Sequence, residues 1–254
     1  MTAETTNHPV SLPEEIHLAE VLRPGSVDDV ADILRAATAQ DRPVLPIGGG
    51  TALLTGNCVD LPFLGLDLRG LRGVRAYEPA DLTASFWAGT TLRDAAAVLA
   101  GHGQELPVDV PGAERATLGG LVATGFAGPR RLGAGTLRDL IIGCGYVRGD
   151  GLVAKAGGML VKNVSGFEIP RLLHGSWGAL AIITYVNLKV VPRPRADMTL
   201  SWAFPSLDEA LAAEHAVLRG RTLPAACVIE HAGADWTLHV RLTGRRASLQ
   251  AQAE

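Results

Sequence analysis

Apolar residues recur at helical spacing in one stretch near the start of the chain. Behind Ser26 they fall three or four positions apart and so share one side of a helix, at Val27, Val30, Ile33, Leu34 and Ala37. Ser26 can cap this helix, and Asp29 at the third helical position would complete a capping box. Pro43 closes the connection, and Val44 and Leu45 begin a short strand that leads into three consecutive glycines.

A second group of elements begins near Val74. The stretch "LTASFWAG" is typical of a strand, and "TTLRDAAAVLAGHGQ" predicts a helix capped by Thr91 and ended by Gly101. "LRDLIIGCGYVRGDGLVAKAGG" predicts two strands around a turn at residues 149–151, and "ALAIITYVNLKVV" predicts one more strand.

The proline-rich "VPRPRAD" marks a domain boundary. Beyond it, "PSLDEALAAEHAVLRG" predicts a helix with Ser206 and Glu209 as its capping pair, and "DWTLHVRLTG" alternates like a half-buried strand. One helix and two strands are few for an independent domain, so we expect this fragment to pack on the main body or on a partner.

Composition and charge exclude several classes of protein. The 254 residues are 47% hydrophobic and 19% charged, with mean hydropathy +0.20, which is typical of a globular chain. A net charge of −3 and an aromatic content of 5% argue against binding to nucleic acid or to an anionic membrane. The three cysteines are too far apart for a disulfide framework or a self-contained set of iron–sulfur ligands.

No stretch has the pattern of a signal peptide or the roughly 20 apolar residues that span a bilayer. The expectation is a cytoplasmic protein that contacts the inner membrane, if at all, only through partners.

The stretch "PIGGGTALLTG" places glycines 48–50 directly after the first short strand. Glycine admits positive φ and close approach to the main chain, which suits either a tight turn or a ligand site. The residues that follow are irregular and broken by proline, so they do not open the helix that a dinucleotide fingerprint needs, and the lysine of a P-loop is missing. A phosphate here would be held by a nest of backbone N–H groups.

A second glycine-rich stretch lies at residues 116–140, "ATLGGLVATGFAGPRRLGAGTLRDL". We interpret it as a second loop in which small residues lie against a long flat ligand, and Arg130 and Arg131 follow them. The alternative is a glycine-rich surface loop. Two such stretches in one chain favour a cofactor that contains a diphosphate.

These two stretches, with "MLVKNVSGFEIPRLLHGSWGALAIIT" and "VVPRP", resemble the FAD-binding domain of vanillyl-alcohol-oxidase (PCMH) type flavoproteins. Within that superfamily the chain is most similar to the FAD-binding subunits of bacterial glycolate oxidases, from about Arg23 to Arg195. The resemblance implies an α+β fold of two subdomains, at about 13–73 and 74–195, that clasp FAD. A flexible tail at 1–12 would precede this 13–195 domain, and a short, reduced cap segment at 196–254 would follow it.

The resemblance also implies which residues bind FAD. The pyrophosphate would lie against Ile47, Gly48, Gly49, Gly50 and Thr51. The flavin and ribityl side would be lined by Thr117, Gly119, Gly120, Thr124 and Gly128, with backbone groups from Ile182 and Ile183. Arg130 could face the flavin edge where the reduced anion carries its charge, or it could belong to an exposed loop or a subunit contact.

Four positions depart from the family pattern. Ala181 and Tyr185 stand where glycine and glutamate are usual, and Phe167 stands where tyrosine is common. Thr51 occupies the position of the histidine that attaches FAD covalently in some relatives, so non-covalent FAD is expected.

A flavin enzyme that oxidises a 2-hydroxy acid needs a cation for the substrate carboxylate and a base or metal for the hydroxyl proton. Related catalytic subunits hold a metal in a histidine-rich motif that this chain lacks, so we assign no metal site and no catalytic residue. Lys162 and Asn163 lie in the family-like stretch and are given no role.

The sequence thus predicts the FAD-binding subunit of a glycolate oxidase-like 2-hydroxyacid dehydrogenase complex. Its partners would be a second, catalytic FAD-containing subunit and an iron–sulfur subunit. The alternative is a structural subunit of the same complex with a degenerate flavin site.

Overall fold

A computed structural model of the chain describes residues 4–5, 16, 18–56, 62–159, 167–233 and 235–253. Lys162 and Asn163 lie outside these ranges. The strands are β1 (Glu4–Thr5), β2 (Leu18–Arg23), β3 (Val44–Ile47), β4 (Phe63–Asp67), β5 (Val74–Glu78), β6 (Thr83–Trp87), β7 (Gln104–Glu105), β8 (Ile141–Val147), β9 (Val153–Gly157), β10 (Ile182–Lys189), β11 (Val191–Pro192), β12 (Ala196–Phe204), β13 (Ala226–Ala232) and β14 (Asp235–Gly244). The helices are α1 (Val27–Ala39), α2 (Leu92–Ala100), α3 (Leu118–Thr124), α4 (Arg131–Ala134), α5 (Leu137–Leu140), α6 (Ile169–Leu173), α7 (Leu207–Arg219) and α8 (Arg246–Ala253). No helix among these residues is long and apolar enough to cross a membrane.

The first sheet has the strand order β1-β2-β4-β3, in which β2, β4 and β3 are parallel. The helix α1 joins β2 to β3, and the predicted capping box of Ser26 and Asp29 is confirmed at its start. The apolar side of α1 is buried against Leu64 and Leu66 of β4 and against Val147 and Ile182 of a second sheet. Burial of this one helical face therefore holds both sheets to a common core.

A buried carboxylate ends β4. Asp67 is 1% exposed and accepts hydrogen bonds from the side chains of Arg23 and Arg69, at 2.6 and 2.7 Å, and from the backbone N–H of Arg69 at 3.0 Å. Burial alone would raise the pKa of Asp67, but the hydrogen bonds from Arg69 and Arg23 outweigh it and hold that pKa below its ordinary value. The ionised carboxylate thus ties the end of β2 to the turn after β4.

The second sheet is antiparallel, with the strand order β5-β6-β10-β8-β9. The predicted strands are confirmed here, as is the helix α2 with Thr91 as its N-cap and Gly101 as its C-cap. Tyr185 of β10 lies over Gly145 of β8, where an added Cβ would come within 2.0 Å of the ring. The guanidinium of Arg75 lies 3.6 Å from the centre of the same ring. Tyr185, in place of the usual glutamate, is thus held by packing and a cation–π contact.

The chain divides into two compact units, of which the second comprises residues 107–109, 127–136 and 192–254. Its antiparallel sheet has the order β12-β14-β13, and Leu238, Val240 and Leu242 of β14 form a buried cluster with Leu249 of α8. The sequence predicted one helix and two strands beyond the proline-rich stretch, whereas the structure has three strands and two helices there. The additional strand at 196–204 begins immediately after Pro192 and Pro194. Prolines are typical of loops and turns, so the alternation of apolar and polar residues behind them was not interpreted as a strand.

The loop after α6 closes the C-terminal end of α3 within the first unit. Its backbone N–H groups at Gly175 and Trp177 donate to the carbonyls of Val122 and Ala123, at 3.0 and 2.8 Å. These bonds satisfy carbonyls that the end of a helix would leave unpaired. His174 begins the loop, and burial together with the charge of Arg138 lowers its pKa below the ordinary 6.5.

We expect Asp67→Asn to lower the free energy of unfolding by about 2 kcal/mol at pH 7, because two guanidinium groups lose their shared counter-charge. The depressed pKa of Asp67 stabilises the fold above pH 3.8, its unfolded value, and this contribution disappears as the pH falls through the folded value. Urea unfolding of both proteins should therefore converge in strong acid. Asp150→Asn, which breaks an exposed pair with Arg148, is the control and should change stability by less than about 1 kcal/mol.

The lowered pKa of His174 makes stability depend on pH. Below pH 6.5 the unfolded chain binds a proton at this site more readily than the folded chain, so stability should fall as the pH drops further towards the folded pKa. His174→Gln should flatten that decline when urea midpoints are compared between pH 7.5 and 5.5. His215→Gln, on the exposed side of α7, is the control and should keep the wild-type slope. An unchanged slope in His174→Gln would contradict the assignment.

Candidate functional site

The first glycine stretch turns sharply where β3 ends. Gly50 has φ +72°, a left-handed conformation that glycine adopts without strain. A Cβ added to Gly48 would lie 2.3 Å from Oγ1 of Thr117, and one added to Gly49 would lie 1.7 Å from the carbonyl oxygen of Arg115. Glycine is required at both positions because another part of the same chain occupies the space.

The predicted second loop is largely helical, which corrects the sequence interpretation. Residues 118–124 form α3, and two further short helices, α4 and α5, follow before residue 141. Thr117 is the N-cap of α3, and its hydroxyl accepts the N–H of Gly120 at 3.3 Å. Glycines within a helix lower its intrinsic stability, so the sequence pattern favoured a loop. Gly119 is nevertheless required within the helix, because a Cβ at this position would lie 2.6 Å from the Cβ of Ala88.

The N-terminus of α3 has few donors to offer a phosphate. The N–H of Leu118 donates to the carbonyl of Thr90, and the N–H of Gly119 donates to the carbonyl of Ala88, both at 2.8 Å. Together with the bond from Gly120 to Thr117, these contacts engage the first three amides of the helix. The helix end therefore serves to join α3 to the end of β6.

The first glycine stretch, in contrast, has backbone N–H groups that other backbone groups do not engage. In the part of the chain that the structure describes, the amides of Gly49, Gly50 and Thr51 donate to no backbone carbonyl, and the next turn bond is from Thr55 to Ala52. Successive amides around a left-handed residue form a concavity that binds anions. The arrangement of these three amides fits a diphosphate, and the assignment of the loop to a diphosphate stays a prediction.

The turn at residues 68–71, after β4 of the first sheet, packs against the residues that follow β6. The N–H of Gly89 donates to the carbonyl of Leu71 at 2.7 Å, and a Cβ on Gly89 would lie 2.2 Å from the carbonyl oxygen of Leu68. Residues 88–90 thus contact the turn at 68–71 on one side and α3 on the other. These residues were missed by sequence reasoning because their contribution is through the backbone, and the only signal was one glycine after a predicted strand.

The remaining predicted residues of the first unit lie at two other places. Thr124 is at the end of α3, where its hydroxyl accepts the N–H of Phe126 at 3.4 Å. Ile182 and Ile183 begin β10, where they pair with Val147 and Tyr146 of β8. The pairing of β10 with β6 begins only at Tyr185, so β6 does not cover the first residues of β10.

Gly128 and Arg130 belong to the second unit. A Cβ on Gly128 would lie 2.1 Å from the carbonyl oxygen of Asp109. Glycine is therefore required here too, because the backbone at Asp109 occupies the space of a side chain. Arg130 immediately precedes α4. The hydrogen bond from Arg241 lowers the pKa of Asp197 most, and the charge of Arg130 lowers it further.

The curated relatives that the chain matches include a glycolate oxidase subunit and a D-lactate dehydrogenase. The chain is 39% identical over 190 residues to glycolate oxidase subunit GlcE of Escherichia coli, which covers 74% of this chain and 53% of that protein. It is 32% identical over 203 residues to a D-lactate dehydrogenase of Archaeoglobus fulgidus, covering 80% of this chain and 45% of the relative. The chain thus spans about half the length of these relatives.

Solved structures confirm the fold. A crystal structure of alkyldihydroxyacetonephosphate synthase superposes with a TM-score of 0.75 over 92% of this chain and 48% of that one, at 18% identity. The α+β architecture expected from the sequence is therefore correct. The family model described as "FAD binding domain" matches residues 18–166, which include both glycine-rich segments of the site. The chain belongs to this family of FAD-binding domains.

Proposed function

We propose that this chain is the FAD-binding subunit of a glycolate oxidase-like 2-hydroxyacid dehydrogenase complex. The observation that carries the proposal is the junction of the two glycine segments, where three adjacent amides are left for an anion. The 39% identity to GlcE over 190 residues supports the same conclusion, as does the FAD-binding family model, whose match at residues 18–166 covers both segments.

In this proposal the amides of Gly49, Gly50 and Thr51 bind the diphosphate, and Ile47 and Gly48 hold the loop in place. Gly120 and Thr124 lie along α3 and would line the cofactor, while Thr117 and Gly119 fix the helix. The backbone at Ile182 and Ile183 remains a candidate for the flavin end, and the roles that the family resemblance implies for Gly128 and Arg130 stay predictions. When bound, FAD would supply the hydride-accepting chemistry, and Thr51 leaves it without a covalent link to the loop.

Catalysis in this proposal depends on partners. A second FAD-containing subunit would supply the oxidation of a small 2-hydroxy acid, and an iron–sulfur subunit would pass electrons onward. The support is that GlcE and the GlcD relative of Bacillus subtilis, 29% identical over 205 residues, are both named as glycolate oxidase subunits. We place the complex in the cytoplasm, with contact to the inner membrane only through its partners.

A second candidate function is a structural subunit with a degenerate flavin site. Two points favour it: Ala181 is buried at a position where the family resemblance implies glycine, and the spaces beside Gly48, Gly49 and Gly119 are filled by the chain itself. The two candidates differ in whether the purified chain holds flavin.

We expect the purified chain, separated from the second flavin-containing subunit, to hold one FAD per copy, bound without a covalent bond. Acid precipitation should release all flavin absorbance of this subunit into the supernatant, because threonine forms no bond to the flavin ring. Flavin kept in the pellet would contradict non-covalent binding, and a subunit free of flavin would favour the structural role.

Two glycine substitutions separate the fold from the cofactor. Gly49→Ala places a methyl group 1.7 Å from the carbonyl oxygen of Arg115 and should lower the free energy of unfolding by about 3 kcal/mol or more. Gly120→Ala meets only Oγ1 of Thr117, at 3.1 Å, and should change stability by less than about 1 kcal/mol. If the cofactor lies along α3, Gly120→Ala should weaken FAD binding in a folded protein. Thermal unfolding and FAD titration measure both effects.

A further inference from the structure

The loop of residues 174–178 holds an unusual backbone conformation. Trp177 has φ +54° and lies between Gly175 at φ +79° and Gly178 at φ +78°. A bulky aromatic residue rarely adopts this left-handed region, because its Cβ crowds the neighbouring carbonyl. Such a conformation is kept only where the surrounding structure enforces it, and it is commonest at functional sites.

The contacts of this loop place it between the two glycine segments. On one side, a Cβ added to Gly178 would lie 2.6 Å from Cγ of Pro46, which is two residues before Gly48. On the other side, the N–H of Trp177 donates to the carbonyl of Ala123 near the end of α3. The loop that carries Trp177 therefore contacts the first glycine stretch through Gly178 and α3 through Trp177.

Trp177 as a whole residue is 50% exposed. Trp87 and Trp236 each contact an aromatic ring, Tyr185 and His231 respectively, whereas within the described ranges the ring of Trp177 has no aromatic or cationic stacking partner. The same loop buries Oγ of Ser176 and Nε2 of His174 with no hydrogen-bond partner among the described residues. Strain and unsatisfied polar atoms in one short loop indicate that selection acts on something other than its stability.

We propose that Trp177 is a cofactor-binding residue whose indole stacks on a planar ring of the bound FAD. This inference rests on the proposed function, since it requires FAD in the adjoining site. Indole presents a flat π surface, and stacking on a conjugated ring needs no hydrogen-bond match. The hydrogen bond from the N–H of Trp177 to the carbonyl of Ala123 fixes the backbone that carries the indole before the ligand binds, which lowers the entropic cost of binding.

The test is FAD titration of the full-length apoprotein, followed by flavin and tryptophan fluorescence. Trp177→Ala should weaken FAD binding about tenfold, in the range of aromatic stacking on a base, while Trp177→Phe should stay within about threefold of wild type. Trp202→Ala is the control, because Trp202 is 44% exposed but lies in β12 of the second unit, and it should bind FAD like wild type.

Trp177→Gly separates strain from stacking. Glycine adopts φ +54° freely, so this variant should unfold at a urea concentration no lower than wild type while binding FAD as weakly as Trp177→Ala. A variant that loses both stability and FAD would point to a purely structural tryptophan and overturn the proposal.

Riboflavin and ADP, used as separate probes, distinguish the two planar rings of FAD. Weaker binding of riboflavin alone in Trp177→Ala assigns the isoalloxazine, and weaker binding of ADP alone assigns the adenine; either result supports the proposal. If wild type binds FAD and Trp177→Ala binds it equally well, stacking is wrong and the proposed function stands. Loss of partner subunits with unchanged FAD affinity would make the ring a docking residue instead. A wild-type chain that binds no FAD would sink the proposed function itself.

Discussion

The backbone of Gly48 and Gly49 lies directly against residues 115–117, and the arrangement of the site depends on this contact. Any side chain at Gly49 would overlap the carbonyl of Arg115, and any at Gly48 would overlap the hydroxyl of Thr117. That hydroxyl is also the N-cap of α3. One close approach therefore fixes the first glycine stretch, the start of the helix and the distance between them.

This contact also decides which groups are left for a ligand. The first amides of α3 are engaged by Thr90, Ala88 and Thr117, so the helix joins the sheet and offers little to an anion. Among the described residues, the amides of Gly49, Gly50 and Thr51 donate to no backbone carbonyl. The small size of Gly49 permits the packing, and the proposed function assigns these three amides to an anion.

Two features near the contact between the glycine stretch and α3 restrict the conformation of the backbone. One is a stabilising ion-pair cluster, and the other is a strained loop. The buried carboxylate of Asp67 is fully compensated by Arg23 and Arg69 and stabilises the turn that supports Gly89. The loop at Trp177 instead holds a left-handed backbone and two unsatisfied polar atoms. A rigid support with a strained edge is the arrangement expected where binding requires residues to be positioned before the ligand arrives.

The sequence by itself determined the elements whose signals are local. Capping at Ser26, Thr91 and Ser206 was readable because a side chain bonds to a backbone group three residues away. The tertiary structure alone decided that residues 118–124 are helical, that Gly48 and Gly119 lie against other parts of the chain, and that Gly178, next to Trp177, lies against Pro46. A glycine in the sequence indicates only that space is needed. The atoms that fill that space belong to residues distant in sequence, such as Thr117 beside Gly48 and Ala88 beside Gly119, and no local pattern predicts them.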